Sequence, residues 1–366
     1  MLSAQPFSTL FSRFALVGGL ALVLASCSDD PEEAGPLYNI SKDGNNVFVL
    51  NEGKFQTPNG AVSYFSKGTK TVVDKSIFQT VNQRELGDVV QSMLVVGNQG
   101  YIVANNSKKM EVVNLTTFKT IATINNLEQP RYAVAAGTNK AYITEWVKYG
   151  SPGRVSVLDL NTNTVLKTIA VGKQPEQIVA VNGKVYVANS GENNLSVINP
   201  ATDAVESTIT VPDGPSSLVV DKTNAIWVLG AGFTVYDSNP PYPVLSSTPG
   251  SLTKINPTTN TVQSSLAFAS NNPGGLRIDG TGTQLYYRYK GAIYRMSTSD
   301  VTLPATPLIR RSFSGLDIDP KDNTIYAAVT PSYTTSGKFI RYQGTGSATA
   351  IDSFEVNIGP NGFIFY

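Results

Sequence analysis

One strand-and-turn unit recurs along this chain, and its last copy completes its first. Val185-Tyr186-Val187-Ala188-Asn189 is the clearest copy of an aliphatic-aromatic-aliphatic-small-Asn strand. Tyr101-Ile102-Val103-Ala104-Asn105, Ala141-Tyr142-Ile143-Thr144-Glu145 and Val47-Phe48-Val49-Leu50-Asn51 match it. Ile226-Trp227-Val228, Leu285-Tyr286-Tyr287 and Ile325-Tyr326-Ala327 are weaker copies. The copies recur at intervals of roughly forty to sixty residues, a spacing that predicts the blades of a β-propeller.

Each copy leads to a second alternating strand, such as Leu195-Ser196-Val197-Ile198-Asn199. A tight turn follows, as in Asn199-Pro200-Ala201-Thr202-Asp203 or Asn256-Pro257-Thr258-Thr259-Asn260. Asn and Asp bond their own backbone there, and Pro presets the turn dihedral. A third strand, such as Val205-Glu206-Ser207-Thr208-Ile209, alternates as if one face were wet. A Gly/Pro loop then opens a short apolar strand, as at Pro175-Glu176-Gln177-Ile178-Val179. Four strands per unit make a blade. The final segment, Gly359-Pro360-Asn361-Gly362-Phe363-Ile364-Phe365-Tyr366, begins a unit that never continues, and the first unit lacks that strand. The expected fold is therefore an all-β, seven-bladed propeller, closed when the C-terminal strand pairs into the N-terminal blade and hides both edges.

Formal charge is only +1 and charged residues are 15 % of the chain, which gives no basic field for nucleic acid. The chain has no histidine. That excludes Ser-His-Asp and Cys-His catalysis and any His-ligated zinc, copper or haem site. Its single cysteine, Cys27, lies before the repeats, so the ring has no disulfide.

Residues 14–26 are apolar, too short to span a bilayer comfortably, and end in small residues, which is the layout of a signal peptide. Leu24-Ala25-Ser26-Cys27 resembles the bacterial lipobox. The resemblance implies cleavage before Cys27 and its lipidation. Ser28-Asp29-Asp30-Pro31-Glu32-Glu33 resembles the acidic signal that sends Bacteroidota-type lipoproteins to the cell exterior; a merely solvated acidic tether is the plainer alternative. The expected layout is a signal peptide over 1–26, an acidic flexible tether over 27–44 and the propeller over 45–366. Outer-membrane attachment would be through the lipid alone.

Ligands of propellers gather where loops from every blade converge on the central channel. Departures from the repeat in those loops mark candidate contacts. The loop after Asn51 is long and brings Glu52 and Phe55. The loop from Glu145 brings Trp146 and Tyr149. A long insertion between Gly230 and Gly250 brings Phe233, Tyr236 and Tyr242. Such aromatics are rigid contact surfaces, or else they pack their own loops. The loops before the innermost strands add Asp88, Gln91, Arg131, Tyr132, Glu176 and Arg277. Arg131 reads equally as an ion-pair partner between blades. Asn189 and Tyr289 end repeat strands and complete the candidate ligand set. Tyr142, Tyr186, Trp227, Tyr286 and Tyr326 recur in register and are expected in the core between blades. Asp317-Ile318-Asp319-Pro320-Lys321-Asp322-Asn323 lacks a full calcium pattern and reads as a hairpin turn. No helix, metal motif or cofactor motif is evident after residue 26.

The Tyr-Val-Ala-Asn, Ser-Val-Ile-Asn-Pro and Gly-x-x-Pro units resemble the YncE or YVTN family of seven-bladed propellers over most of residues 46–366. With the tether and Asn51-Glu52-Gly53-Lys54-Phe55, the chain is similar to the BtuG group. That resemblance implies capture of cobalamin (vitamin B12) at the cell surface and delivery to a TonB-dependent outer-membrane transporter. Without histidine, the protein could not replace cobalt's lower base with imidazole, so binding would leave that base in place or recognise the periphery alone. The competing expectation is a surface scaffold or adhesin that binds glycan or protein on the same loop face. Catalysis is not expected.

Overall fold

A computed structural model describes residues 36–366. The expected signal peptide, Cys27 and residues 27–35 of the tether lie outside the described residues. The rest forms seven blades around a channel, almost entirely in β-structure.

The repeated aliphatic-aromatic strand is the second in each blade. It is wrapped by neighbouring blades on both faces, which is why it reads as an unbroken apolar run. Asn46–Asn51 is buried at every position, as is Ile226–Gly230. The outermost strands are wetter; Ala204–Thr210 alternates between exposed and mostly half-buried positions. The recurring aromatics fill the space between blades: Tyr101, Tyr142, Tyr186, Tyr286 and Tyr326 are all buried, with Trp227 and Phe48.

Burying a phenol requires a partner for its hydroxyl. The Tyr186 hydroxyl donates to Asn260 Oδ1 in the hairpin turn of the next blade, at 2.9 Å. Tyr142 does the same to Asp203. Asp203 and Asn260 sit at φ +50° and +55°, in the left-handed region that Asn and Asp tolerate best. One turn residue thus serves two purposes: it permits the tight turn and receives the preceding blade's core tyrosine.

The ring closes as expected. Pro360–Phe365 pairs antiparallel with Asn46–Asn51, with Val47 opposite Phe365 and Val49 opposite Phe363. Outside the ladder, Glu52 N–H donates to Gly359 O at 2.8 Å and Tyr366 N–H to Asn46 O at 2.9 Å. The seam between the last and first blades is aromatic. Phe65 meets Phe339 at 5.1 Å, Tyr326 meets Phe363 at 5.4 Å and Phe365 at 5.1 Å. The Arg341 guanidinium lies 5.2 Å from the Phe65 ring centroid.

Four features depart from expectation. A short helix, Ile77–Asn82, follows the first blade and buries Ile77 and Phe78. At under two turns it leaves no periodic signature in sequence. Blade six has three strands, because the Pro304 and Pro307 segment cannot donate a ladder and makes a single bridge to the sheet, at Ile293 and Ile309. The insertion in blade five forms its own hairpin, Thr234–Tyr236 with Val244–Ser247. Finally, the tether is not free as far as residue 44. Ile40 is buried against Phe48 and Phe118 and donates its N–H to Thr116 O at 2.7 Å, and the Tyr38 hydroxyl donates to Asp74 at 2.8 Å.

Deleting residues 359–366 removes the whole closing ladder, and its expected result is loss of the single cooperative thermal transition; an unchanged melting temperature would contradict closure. Ile40→Ala is expected to cost about 2–5 kcal/mol in urea unfolding, as for a core isoleucine; a cost near zero would return residues 38–44 to the tether.

Candidate functional site at the channel mouth

The innermost strands start with Pro-x-x-apolar, as at Pro130, Pro175, Pro215 and Pro360. Their pairing with the second strand slips by a residue at this start in blades one to six. A bulge here re-aims the following side chains toward the axis. The result is a cavity of about 480 Å³ at the mouth, to which all seven blades contribute. It opens beside a shallower recess of about 380 Å³ that shares Glu52, Gln91 and Arg131 and adds Phe55 and Tyr333.

The lining carries three guanidiniums and three carboxylates: Arg131, Arg277 and Arg288 against Glu52, Glu176 and Asp317. Arg131 pairs with Glu176 at 3.0 Å and donates through Nη1 to Gln91 Oε1 at 2.6 Å. The Gln91 amide in turn donates to the Tyr132 hydroxyl at 3.2 Å. The Arg131 guanidinium also lies 4.6 Å from the Trp146 ring centroid, a cation-π contact that holds the indole against the rim. Across the channel, Arg277 Nε donates to Asp317, whose other oxygen accepts the Phe363 N–H at 2.9 Å. Glu52 accepts from the Asn361 amide at 3.0 Å.

Burial governs the titration of Glu176, Asp317 and Arg288. Burial pushes the Glu176 carboxyl above its usual range, and Arg131 offsets part of that rise. Asp317 is raised in the same way, with Arg277 in the offsetting role. Burial, aided by the charge of Arg277, depresses the Arg288 guanidinium. The mouth is therefore a desolvated, internally neutralised polar surface, edged by exposed rings of Phe55, Tyr149 and Tyr333.

The sequence matches a family described as a domain of unknown function, DUF5074, over residues 45–357. The chain belongs to the DUF5074 family. No functionally curated protein matches it. Among solved structures, it is similar to a quinonprotein alcohol dehydrogenase-like protein from Bacteroides thetaiotaomicron, with TM-score 0.64, 13 % identity, and coverage of 88 % of this chain and 78 % of that one. It is also similar to a putative 6-phosphogluconolactonase from Bacteroides fragilis, with TM-score 0.63, 12 % identity, and coverage of 89 % and 99 %. A functionally unknown protein from Desulfotomaculum acetoxidans gives TM-score 0.61, 12 % identity, and coverage of 88 % and 98 %. At such identities the likeness shows the propeller fold alone.

Of the residues expected at the site of this DUF5074 propeller, Glu52, Gln91, Arg131, Tyr132, Glu176 and Arg277 line the mouth cavity. Phe55 lines the adjoining recess. Trp146 reaches the rim through Arg131, and Tyr149 lies 6.1 Å from Trp146, centroid to centroid. Tyr289 bonds Ser270 at 2.8 Å and borders a smaller hollow next to Arg288.

Four expected contacts lie elsewhere, each for a local reason. Glu145 is fully buried inside blade three, where it pairs with Arg154 at 2.8 Å and bonds Ser156. Asn189 is buried too; its amide bonds Asn194 at 2.7 Å and Ser196 at 2.9 Å, tying its strand to the next rather than facing the channel. Asp88 is buried between the first two blades and accepts from Asn106. Phe233 opens the blade-five hairpin, its N–H held by Thr248 Oγ1 at 2.8 Å.

Asp317 and Arg288 line the cavity without having been expected there. Asp317 had a signal: Arg277 and Asp317 occupy the innermost-strand position at which other copies carry Val134, Val179 and Val219. Asp319 and Asp322 do serve the hairpin turn, accepting the N–H groups of Lys321 and Thr324 at 2.9 Å and 2.8 Å.

Arg131→Ala leaves the Glu176 carboxylate buried and unpaired, and its expected cost is about 3–5 kcal/mol at neutral pH. Because the folded-state pKa of Glu176 is already raised and rises further in this variant, the penalty should shrink as pH falls toward the ordinary carboxylate range. Arg131→Ala with Glu176→Gln should recover most of the loss. Urea unfolding of both variants across pH checks this; equal, pH-independent losses would refute the pairing.

Proposed function

We propose that this DUF5074 protein is a surface lipoprotein that binds a small molecule at the channel mouth, a corrinoid such as cobalamin, and passes it to a TonB-dependent outer-membrane transporter. The observation that carries the reading is the mouth itself. Its volume of about 480 Å³ lies within the range of small-molecule pockets, and its lining is polar, desolvated and internally neutralised beneath an aromatic rim. A corrinoid is a broad apolar disc edged with neutral amides. Gln91, Gln177, Ser216, Ser217 and Asn361 offer donors and acceptors to such amides. The disc exceeds the cavity, so it would enter by one edge and rest its face on the rim near Phe55 and Tyr333.

The reading is of binding rather than catalysis. The chain has no imidazole, and its two deepest mouth carboxyls are each engaged by a guanidinium. The lipobox-like Leu24-Ala25-Ser26-Cys27 and the acidic run after it support the surface location, and the likeness of residues 51–55 to the cobalamin-capturing group supports the ligand. The second reading, a glycan-binding or protein-binding scaffold, draws on the blade-five hairpin, where Tyr236 and Tyr242 stand more than half exposed.

Calorimetric titration with cyanocobalamin tests the choice. The expected outcome is tight one-to-one binding, weakened about tenfold by Phe55→Ala, for a lost contact worth roughly 1–1.5 kcal/mol. No heat and no thermal shift would remove the corrinoid and leave the scaffold reading.

A further inference from the structure

Arg288 is the one guanidinium of the mouth with no carboxylate in ion-pair range among the described residues, whereas Arg131 and Arg277 each have one. Its Nη1 donates to Phe313 O at 2.9 Å and Ser314 O at 2.8 Å, which fixes the plane of the group. Among the described residues, Nη2 makes no hydrogen bond. Beneath it the chain is Gly274-Gly275, where other blades carry Arg131-Tyr132, Glu176-Gln177 or Ser216-Ser217. The reason is steric: a Cβ on Gly275 would stand 2.8 Å from Arg288 Nε, and the residue's φ of +66° also favours glycine. Gly275 must lack a side chain for the cation to lie there, and Gly274 beside it leaves the backbone bare at the cavity wall, the nearest contact of a Cβ there being Arg288 Nη2 at 3.9 Å.

The charges of the mouth are neutral in sum but not in place. Blades six and seven contribute Arg277 and Arg288 against Asp317, a local excess of one positive charge. Blades one, three and four contribute Glu52 and Glu176 against Arg131, an excess of one negative charge. A desolvated cation without a counter-ion is costly unless something anionic occupies the site. The Arg288 guanidinium is already depressed by burial and by Arg277, a strain that an incoming anion would relieve.

We propose that the blade-six wall is an oxyanion subsite, in which Arg288, backed by Arg277, receives a phosphate ester of the ligand through its free Nη2. The inference rests on the mouth being a binding site, not on the ligand being a corrinoid. It also gives the ligand a direction: anionic end toward blade six, neutral amide-bearing part toward blades one to four.

The test uses the full-length protein, wild type and Arg288→Gln, each checked for an unchanged circular dichroism spectrum. Arg288→Lys serves as a second variant that keeps the charge but loses the planar fork. Cyanocobalamin, which carries a phosphodiester, is compared with dicyanocobinamide, which lacks it. Arg288→Gln is expected to weaken cyanocobalamin at least tenfold and leave dicyanocobinamide unchanged, with Arg288→Lys in between. Equal losses for both ligands, or none, would overturn the subsite. If neither corrinoid binds the wild type, only the corrinoid reading fails. Inorganic phosphate and methyl phosphate then probe the wall directly. Thermal stabilisation present in the wild type and absent in Arg288→Gln upholds the subsite; no stabilisation, or the same in both, defeats it.

Discussion

Everything in this structure depends on one strand pairing, that of Pro360–Phe365 with Asn46–Asn51. Seven twisted sheets around an axis leave two free edges unless the chain's ends meet, and free edges are sites of fraying and misassociation. Closure joins strands from the two ends of the ring, so it carries a large loop-entropy cost. The seam is correspondingly rich in strong contacts. Phe65, Phe339, Phe354, Phe363 and Tyr326 pack there, Arg341 lies against three of those rings, and Lys67 reaches Asp319 across the junction.

Closure also builds the site. The strand that seals the ring brings Asn361 to the mouth, where it binds Glu52 from the opposite terminus of the domain. Phe363, in the same strand, donates its backbone N–H to Asp317, which holds Arg277. Stability and recognition therefore share residues: the channel cannot acquire its polar lining until the last strand is in place. This coupling gives the mouth a rigid scaffold, which suits a site whose charges must stay oriented without water.

The polarity of that mouth comes from departures from the repeat. Where the copies agree, as at Tyr142 and Tyr186, the residues pack between blades and bond the next blade's turn. Where they disagree, as at Arg131, Glu176, Arg277, Asp317 and the Gly274-Gly275 pair, they face the channel. The rule misleads when a departure is satisfied locally. Glu145 breaks the Asn pattern at its strand end, yet it is neutralised by Arg154 within its own blade.

The ring, its number of blades and its mode of closure were legible in the sequence because each follows from local periodicity and from counting strands at the two ends. The core tyrosines were legible because in-register recurrence means a repeated environment. Half-legible features were those with a weak local signal: the helix at Ile77–Asn82 is too short for a period, and the docking of Tyr38 and Ile40 uses a segment whose composition resembles a leash. Only tertiary structure decided which polar residues meet. Arg131 and Glu176 lie in adjacent blades, Arg277 and Asp317 in another adjacent pair, and nothing local says that their side chains touch across the axis-facing edge. Periodicity fixes what a residue's own strand does; the company of a channel-facing side chain is set by neighbouring blades, forty or more residues away in sequence.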